Sequence, residues 1–264
     1  PRLAFVSHWN PTCTPYPLRQ PTKLAQQRRA KKLSVMAVED ISVGDDGGYV
    51  IDTEVGRCDV EALPELHNKY FALRHGQSTA NLEGVISSNP AVGTVEHGLT
   101  ELGRVQARAA ATSLIEAVGR DRLDSLVFIS SDYTRARQTA EQCRAALKNI
   151  LSFEIEGTSE NEASLGFDFS KPTVIRKEIR ERAFGELDAT PQANYSKVWP
   201  ADLKDGNQKQ FGVESVRDVA ARIGGFIRSL EYNGTSIVFV SHADTIQITQ
   251  CHIAGVDERL FSQV

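Results

Sequence analysis

The sequence predicts an α/β fold of three layers, in which a mostly parallel sheet is covered by helices on both faces of a single domain. Short apolar runs alternate along the chain with segments of helical period, which is the pattern of such folds. The apolar runs are continuous, as in parallel strands that are buried on both faces. Two of these runs, near residues 70 and 240, end abruptly at a histidine.

The first half of the chain provides two strands and two helices. A strand is predicted at 70–73, and a loop over its end at 81–98, where Ser, Pro and three glycines interrupt any periodicity. Thr100 is predicted to cap a helix that Gly119 ends. A second strand, at 126–129, leads into a second helix.

The next segments are less regular. Residues 152–171 are polar and are expected to form a surface excursion. Residues 173–179 alternate in polarity and predict a third strand that leads into Arg180-Glu181-Arg182. Residues 186–211 contain turn residues and are interpreted as a lid or flanking loop.

The C-terminal part has the clearest periodicity. Ser215, with Asp218 three positions later, is a capping signature for an amphipathic helix. Gly224 and Gly225 within this helix indicate close packing against a neighbour. A last apolar strand, at 237–240, ends at Ser241-His242.

Composition excludes several classes of protein. The chain has 264 residues, of which 41% are hydrophobic and 24% charged, as in ordinary globular proteins. A net charge of -4 gives no support for nucleic-acid binding. Since no apolar run approaches the ~20 residues that span a bilayer, no membrane segment is predicted.

The charge is distributed unevenly. Residues 1–38 contain seven Lys or Arg and no Asp or Glu. This basic leader predicts a transit peptide for a plastid or mitochondrion, with a disordered arm and a cytoplasmic protein as the alternative. Residues 39–68 form an acidic linker, and 69–264 the predicted catalytic domain.

The motif Arg74-His75-Gly76 lies at the end of the first strand, where open α/β sheets bind ligands. An imidazole can act as a nucleophile, and a guanidinium binds phosphate oxygens in pairs. Gly76, which has no Cβ, is expected to let a tetrahedral group approach the backbone. The motif therefore suggests a phosphohistidine site, although three residues alone recur by chance and need partners elsewhere.

Three residues at the ends of strands or at the start of a helix are candidate partners of His75. Arg135 lies in the first turn of the second helix, where free amides favour an anion. His242 follows the last strand, and Glu181 follows the third and is flanked by two arginines. Each residue alone has an ordinary interpretation as a solvated polar group. Together they provide the parts of one phosphate site.

These motifs resemble the histidine phosphatase superfamily, in the branch of the phosphoglycerate mutases. The resemblance runs from residue 69 to the C-terminus. It covers Arg74-His75-Gly76-Gln77-Ser78 with Asn81, Ser131-x-x-x-Arg135-Ala136, Arg180-Glu181-Arg182 with Phe184-Gly185, and Val240-Ser241-His242.

The resemblance implies a role for each of these positions. His75 would be the nucleophile, Glu181 the proton donor, and Arg74, Arg135 and His242 the phosphate pocket. Substrate contacts would come from Gln77, Asn81 and Ser87.

The chain departs from the family pattern in two places. Ala243 stands where the family usually has glycine after the second histidine. The sequence also ends at Val264, before the last strand that relatives usually have, which suggests a fragment.

The expected activity is hydrolysis of a small phosphorylated metabolite, such as a sugar phosphate, through a phosphohistidine intermediate. No metal and no cofactor are expected, and the four cysteines have no metal-binding spacing. A bisphosphoglycerate-dependent mutase is the first alternative, and a non-catalytic binding protein of the same fold is the second. Residues 182–241, with seven basic and seven acidic residues, lack the excess positive charge that a second phosphate requires.

Overall fold

A five-stranded parallel sheet lies at the centre of the computed structural model, which describes residues 3–6, 60–155, 166–231 and 234–263. Its strands are β1 (Leu3–Val6), β2 (Lys69–Arg74), β3 (Leu126–Ser130), β4 (Val174–Ile175) and β5 (Ser236–Ser241). Their order is β1-β2-β5-β3-β4, and every pair is parallel. The predicted fold class is confirmed.

Helices surround this sheet. The α-helices are α1 (Thr79–Glu83), α2 (Pro90–Gly93), α3 (Glu101–Val118), α4 (Thr134–Ile155), α5 (Trp199–Asp202), α6 (Val216–Leu230) and α7 (Ala243–Ala254). Short 3-10 helices occupy Arg120–Ser125, Lys177–Ile179, Gly185–Leu187, Gln192–Lys197, Gln210–Gly212 and Glu258–Gln263. No helix in the described ranges is long and apolar enough to cross a membrane.

Strand side chains alternate between two hydrophobic cores. Phe71 and Leu73 of β2 face the core formed with α3 and α4. Tyr70 and Ala72 face the opposite core, formed with α6 and α7. Because both faces of the sheet are covered, its strands are apolar at nearly every position.

The predicted helix caps are present. The Thr100 hydroxyl accepts a hydrogen bond from the Gly103 amide, and Gly119 follows the last residue of α3. Ser215 and Asp218 form a capping box. Gly224 explains the close packing of α6 on α7, since a Cβ there would lie 2.6 Å from Nε2 of His252, whereas Gly225 has open space.

Three expectations about local structure are wrong. The predicted loop at 81–98 includes part of α1 and all of α2. The strand expected at 173–179 has only two residues, followed by a 3-10 turn, because its side chains are too exposed to belong to a buried strand. Phe167, in the expected surface excursion, is buried against Phe128.

Part of the predicted leader and linker falls on described residues. β1 lies within 1–38 and pairs with β2. Val60, Leu63 and Leu66, which the sequence assigns to the linker, pack against the core of α6 and α7. Residues 7–59 lie outside the described residues, so the transit peptide stays a prediction.

Gly76 and Gly103 place the backbone of α3 directly against the segment that follows β2. A Cβ on Gly76 would lie 2.3 Å from the carbonyl oxygen of Gly103, and one on Gly103 would lie 2.1 Å from that of Gln77. The sequence interpretation of Gly76 is thus corrected, because a Cβ there would meet the helix backbone.

Gly103→Ala is therefore expected to lower the free energy of unfolding by about 1–3 kcal/mol, since backbone atoms cannot move away from the added methyl group. Gly225→Ala is the matched control. It is expected to raise that free energy by up to about 1 kcal/mol, because alanine favours helix at an unobstructed position. Chemical denaturation of both variants measures the difference, and equal stabilisation by both would contradict the packing argument.

Candidate active site

Three neighbouring strands end side by side and place their next residues together. The amide of His75, after β2, donates to the Ser241 carbonyl over 3.0 Å. The amide of Ser131, after β3, donates to the Val240 carbonyl over the same distance. His242 follows the central strand β5, and its ring centroid lies 5.1 Å from that of His75. The topology thus brings together both predicted histidines.

Hydrogen bonds fix the tautomer of His75. Its Nε2 accepts a hydrogen bond from Nε of Arg135 over 3.1 Å, so this nitrogen has no proton. Its Nδ1 lies 2.8 Å from the Gly76 carbonyl oxygen and donates to it. Nε2 is therefore the nitrogen that has a lone pair for nucleophilic attack.

The surroundings of His75 also keep the ring neutral. Only 8% of the residue is exposed. Burial lowers the pKa of His75 well below its usual value, and the charges of Arg135 and Arg74 lower it further. A neutral imidazole at neutral pH is the form that acts as a nucleophile.

His242 is fully buried, and only one of its two ring nitrogens has a hydrogen-bond partner among the described residues. Its Nε2 lies 2.9 Å from the Ser131 hydroxyl, and its Nδ1 has no hydrogen-bond partner among the described residues. Burial, followed by the charge of Arg135, lowers the pKa of His242, so the ring is neutral. If Ser131 donates to Nε2, then Nδ1–H is free to bind an oxygen of a substrate.

Arg135 lies at the start of α4, as predicted, and is held in place by the loop before α2. Its Nη1 donates to the Ser87 hydroxyl over 3.1 Å, and its Nη2 donates to the Ser87 carbonyl over 2.8 Å. The guanidinium also lies over the ring of Tyr133. The same Ser87 hydroxyl lies 2.8 Å from Nδ1 of His97. Ser87 therefore orients Arg135.

Arg74 contributes a second positive charge. It is partly buried, and within the described ranges no hydrogen bond or ion pair of its side chain is present. Its charge lowers the pKa values of His75, His242 and Glu181. An unpaired guanidinium beside the nucleophile suits the oxygens of a phosphate group.

Glu181 is the candidate general acid of the site. Its Oε1 accepts a hydrogen bond from the Arg182 amide over 3.0 Å and lies 3.5 Å from the Thr245 hydroxyl oxygen. Although part of the residue is open to solvent, the carboxyl is enclosed, and this burial raises the pKa of Glu181 against the opposing charges of Arg135 and Arg74. A raised pKa favours the protonated form that a general acid needs.

The surroundings of Glu181 differ from the sequence prediction in two respects. The residue follows a 3-10 turn and not a strand. The flanking arginines are engaged elsewhere, since Arg180 forms an ion pair with Asp132 at 2.5 Å and Arg182 is fully buried against Asp202 at 2.7 Å. Burial is therefore the main cause of the raised pKa of Glu181. The ion pairs of Arg180 and Arg182 hold the segment on which Glu181 lies.

Two of the predicted substrate-binding residues support the loops of the site. The Gln77 side chain accepts a hydrogen bond from the Thr100 hydroxyl over 2.8 Å, at the start of α3. Asn81 is the second half of a capping box with Ser78 at the start of α1. Ala243 begins α7, where helical backbone suits alanine.

Sequence reasoning missed three residues beside this centre. Ser131 belongs to the motif Ser131-x-x-x-Arg135-Ala136, but its hydrogen bond to His242 depends on the order of the strands. Asp244 is two residues after His242, in the first turn of a helix, and this position could have indicated from the sequence that it lies near the site. Tyr195 belongs to a 3-10 turn in the irregular segment, where no periodicity marks it.

The arrangement suits phosphoryl transfer, since a neutral imidazole, two guanidinium groups, a second imidazole and a carboxyl whose pKa is raised by burial lie at one sheet edge. Among the described residues, no three His, Cys, Asp or Glu side chains are grouped as metal ligands.

The family model of the histidine phosphatase superfamily (branch 1) matches residues 70–160 and 158–264, which include every residue of this centre. The chain belongs to the histidine phosphatase superfamily. The resemblance seen in the sequence is thereby confirmed.

Individual superfamily members are similar over most of the predicted domain. A 2,3-bisphosphoglycerate-dependent phosphoglycerate mutase from Rhizobium etli is 28% identical over 184 residues, which are 66% of this chain and 75% of the mutase. A probable phosphatase from Schizosaccharomyces pombe is 24% identical over 189 residues, 70% of this chain and 72% of that protein.

The solved structure of a mycobacterial glucosyl-3-phosphoglycerate phosphatase shares the fold. Its TM-score is 0.52 at 23% identity, over 73% of this chain and 83% of the mycobacterial chain.

Proposed function

We propose that this protein is a phosphatase that hydrolyses a small phosphorylated metabolite through a phosphohistidine intermediate on His75. The observation that supports this most directly is the state of the nucleophile. Nε2 of a buried, neutral His75 lies among three positive or proton-donating groups, which are Arg74, Arg135 and Nδ1 of His242.

The first step transfers the phosphoryl group. The Nε2 lone pair attacks phosphorus while the bond between phosphorus and the ester oxygen breaks, and the leaving oxygen takes the proton of Glu181. Arg135 donates to Nε2 in the free protein, so its guanidinium must turn from the ring to the phosphate oxygens before attack. Arg74 and His242 stabilise the same oxygens.

The second step releases inorganic phosphate. Glu181, now ionised, takes a proton from water, whose oxygen attacks phosphorus as the bond to Nε2 breaks. His75 returns to its neutral state and Glu181 to its protonated state. The cycle thus consumes one water for each ester.

A mutase is the second candidate, because the Rhizobium etli relative is one. Four of the seven basic residues between 182 and 241 are already paired with carboxylates: Arg182 with Asp202, Lys209 with Asp218, Arg222 with Glu214 and Arg228 with Glu61. These pairs leave little positive charge for a second phosphate group, which favours the phosphatase.

The test is a panel of phosphorylated metabolites, including sugar phosphates and phosphoglycerates, assayed for inorganic phosphate with and without a chelator. We expect phosphate release from at least one compound, with no loss on chelation. A second arm supplies 3-phosphoglycerate with catalytic 2,3-bisphosphoglycerate. Efficient interconversion of the phosphoglycerates without phosphate release would establish the mutase, and inactivity in both arms would support a binding protein.

A further inference from the structure

His97 is a partly buried histidine that the mechanism above does not use. Its Nδ1 lies 2.8 Å from the Ser87 hydroxyl oxygen, which also accepts a hydrogen bond from Nη1 of Arg135 over 3.1 Å. Nε of the same guanidinium donates to Nε2 of His75 over 3.1 Å. A continuous chain of hydrogen bonds thus joins His97 to the nucleophile.

Each group in this chain has a defined role as donor or acceptor. A guanidinium has no acceptor atom, so Arg135 donates to both of its partners in the chain. The Ser87 oxygen therefore accepts from Arg135, and its single hydrogen is left for Nδ1 of His97, which accepts it in the neutral form of the ring. Because that hydrogen is directed at His97, a lone pair of the Ser87 oxygen stays directed at Arg135.

The backbone at His97 is also unusual. Its φ is +50°, in the left-handed region that residues other than glycine and asparagine seldom adopt, and such a conformation persists only where neighbouring contacts hold it. The amide of Leu99, two positions later, donates to the side chain of Gln138 over 2.7 Å. Gln138 lies on α4, three positions after Arg135. The helix that carries Arg135 therefore also holds the segment that carries His97.

Ser87 holds the guanidinium of Arg135 at two of its three nitrogens. Nη1 contacts the Ser87 hydroxyl and Nη2 the Ser87 carbonyl, whereas Nε is the atom that contacts His75. When a phosphate group displaces the contact to His75, these two bonds limit how far the guanidinium turns. Loss of the bond to the hydroxyl would leave the carbonyl alone to orient it, at a cost in the geometry of the transferring group.

We propose that His97 is a positioning residue for Arg135: by accepting the hydrogen of the Ser87 hydroxyl, it fixes that oxygen as an acceptor for the guanidinium. This inference rests on the proposed function, in which Arg135 stabilises the phosphate oxygens. Among the described residues, the only hydrogen bond of the His97 ring is the one to Ser87, so its effect on the site passes through that hydroxyl.

His97→Gly tests this role, because glycine adopts a φ of +50° without strain and the substitution removes the acceptor. We expect kcat/KM for p-nitrophenyl phosphate to fall about tenfold, the effect of one hydrogen bond. The dissociation constant of inorganic phosphate, measured by calorimetry, should rise about 3- to 10-fold. His97→Asn should stay within about twofold of the parent in both constants, because asparagine tolerates a positive φ and its Oδ1 accepts in the place of Nδ1.

A double-mutant cycle separates this route from a general effect on the loop. Ser87→Ala removes the hydroxyl but keeps the carbonyl that holds Nη2 of Arg135. It should lower kcat/KM about as much as His97→Gly does, and the two substitutions together should cause no further loss. Additive losses, or parent kinetics in His97→Gly, would overturn the proposal.

Glu96→Gln is the matched control, since this exposed residue is next to His97 and its substitution should leave both constants unchanged. Equal losses in Glu96→Gln and His97→Gly would assign the effect to the loop and overturn the role of His97. If the His97 variants do not fold, Ser87→Ala decides, because parent kinetics in that variant would show that the hydroxyl does not position Arg135. A parent protein without phosphatase activity would remove the proposed function instead, while the calorimetric comparison would still test the role of His97.

Discussion

Replacing His75 by asparagine is expected to reduce phosphate release by at least about 10⁴-fold, because the variant lacks the nitrogen that attacks phosphorus. An asparagine amide can still donate to the Gly76 carbonyl in the place of Nδ1, so the loop should keep its conformation. The loss should therefore appear in kcat while the protein stays folded, as measured by steady-state kinetics and circular dichroism.

Trapping the intermediate separates the nucleophile from a merely structural histidine. Rapid quenching of the parent protein with a ³²P-labelled substrate should give labelled protein, and the His75→Asn variant should give none. His67→Ala, in an exposed histidine, is the control and should retain both activity and labelling. A His75→Asn variant within tenfold of the parent rate would contradict the mechanism.

The second large effect is expected at Glu181. Glu181→Gln keeps the size of the side chain but cannot donate or accept the catalytic proton. For an alkyl phosphate, whose leaving alkoxide needs a proton, kcat should fall by about 10²–10⁴-fold. For p-nitrophenyl phosphate, the leaving phenolate needs no proton, so the first step should remain fast.

Hydrolysis of the intermediate still needs Glu181 as a base. Stopped-flow measurement with p-nitrophenyl phosphate should thus show a burst of about one phenolate for each molecule of the variant, followed by a slow phase. Glu186→Gln, at an exposed position in the same segment, should behave as the parent protein. Equal losses on both substrates would mean that Glu181 acts by supporting the site and not by transferring protons.

The fold could be predicted because its signals are local and repeated. Continuous apolar strands, the Thr100 cap and the capping box of Ser215 each report on residues that are close in sequence. The two strand ends with a histidine also predicted the location of the site, since parallel strands present their carboxyl ends at one edge.

What the sequence could not provide depends on contacts between distant residues. The sequence showed Arg182 only as a charge that flanks Glu181, but its side chain is fully buried and paired with Asp202, twenty residues further along the chain. Gly76 looked like space for a ligand, but its neighbour is the backbone of α3. The enclosure of Glu181 likewise arises from elements that periodicity does not place. Local sequence patterns do not predict which distant segment packs against a given side chain.

The contact between Gly76 and Gly103 also affects how the parts of the site can move. Because two backbones meet there without any side chain between them, the segment that carries His75 is held against α3 by direct backbone contact. Strand β2, this helix and His75 should thus move as one body, and accommodation of substrates of different size has to come from the opposite wall, where Glu181, Tyr195 and Trp199 lie on short turns and a short helix.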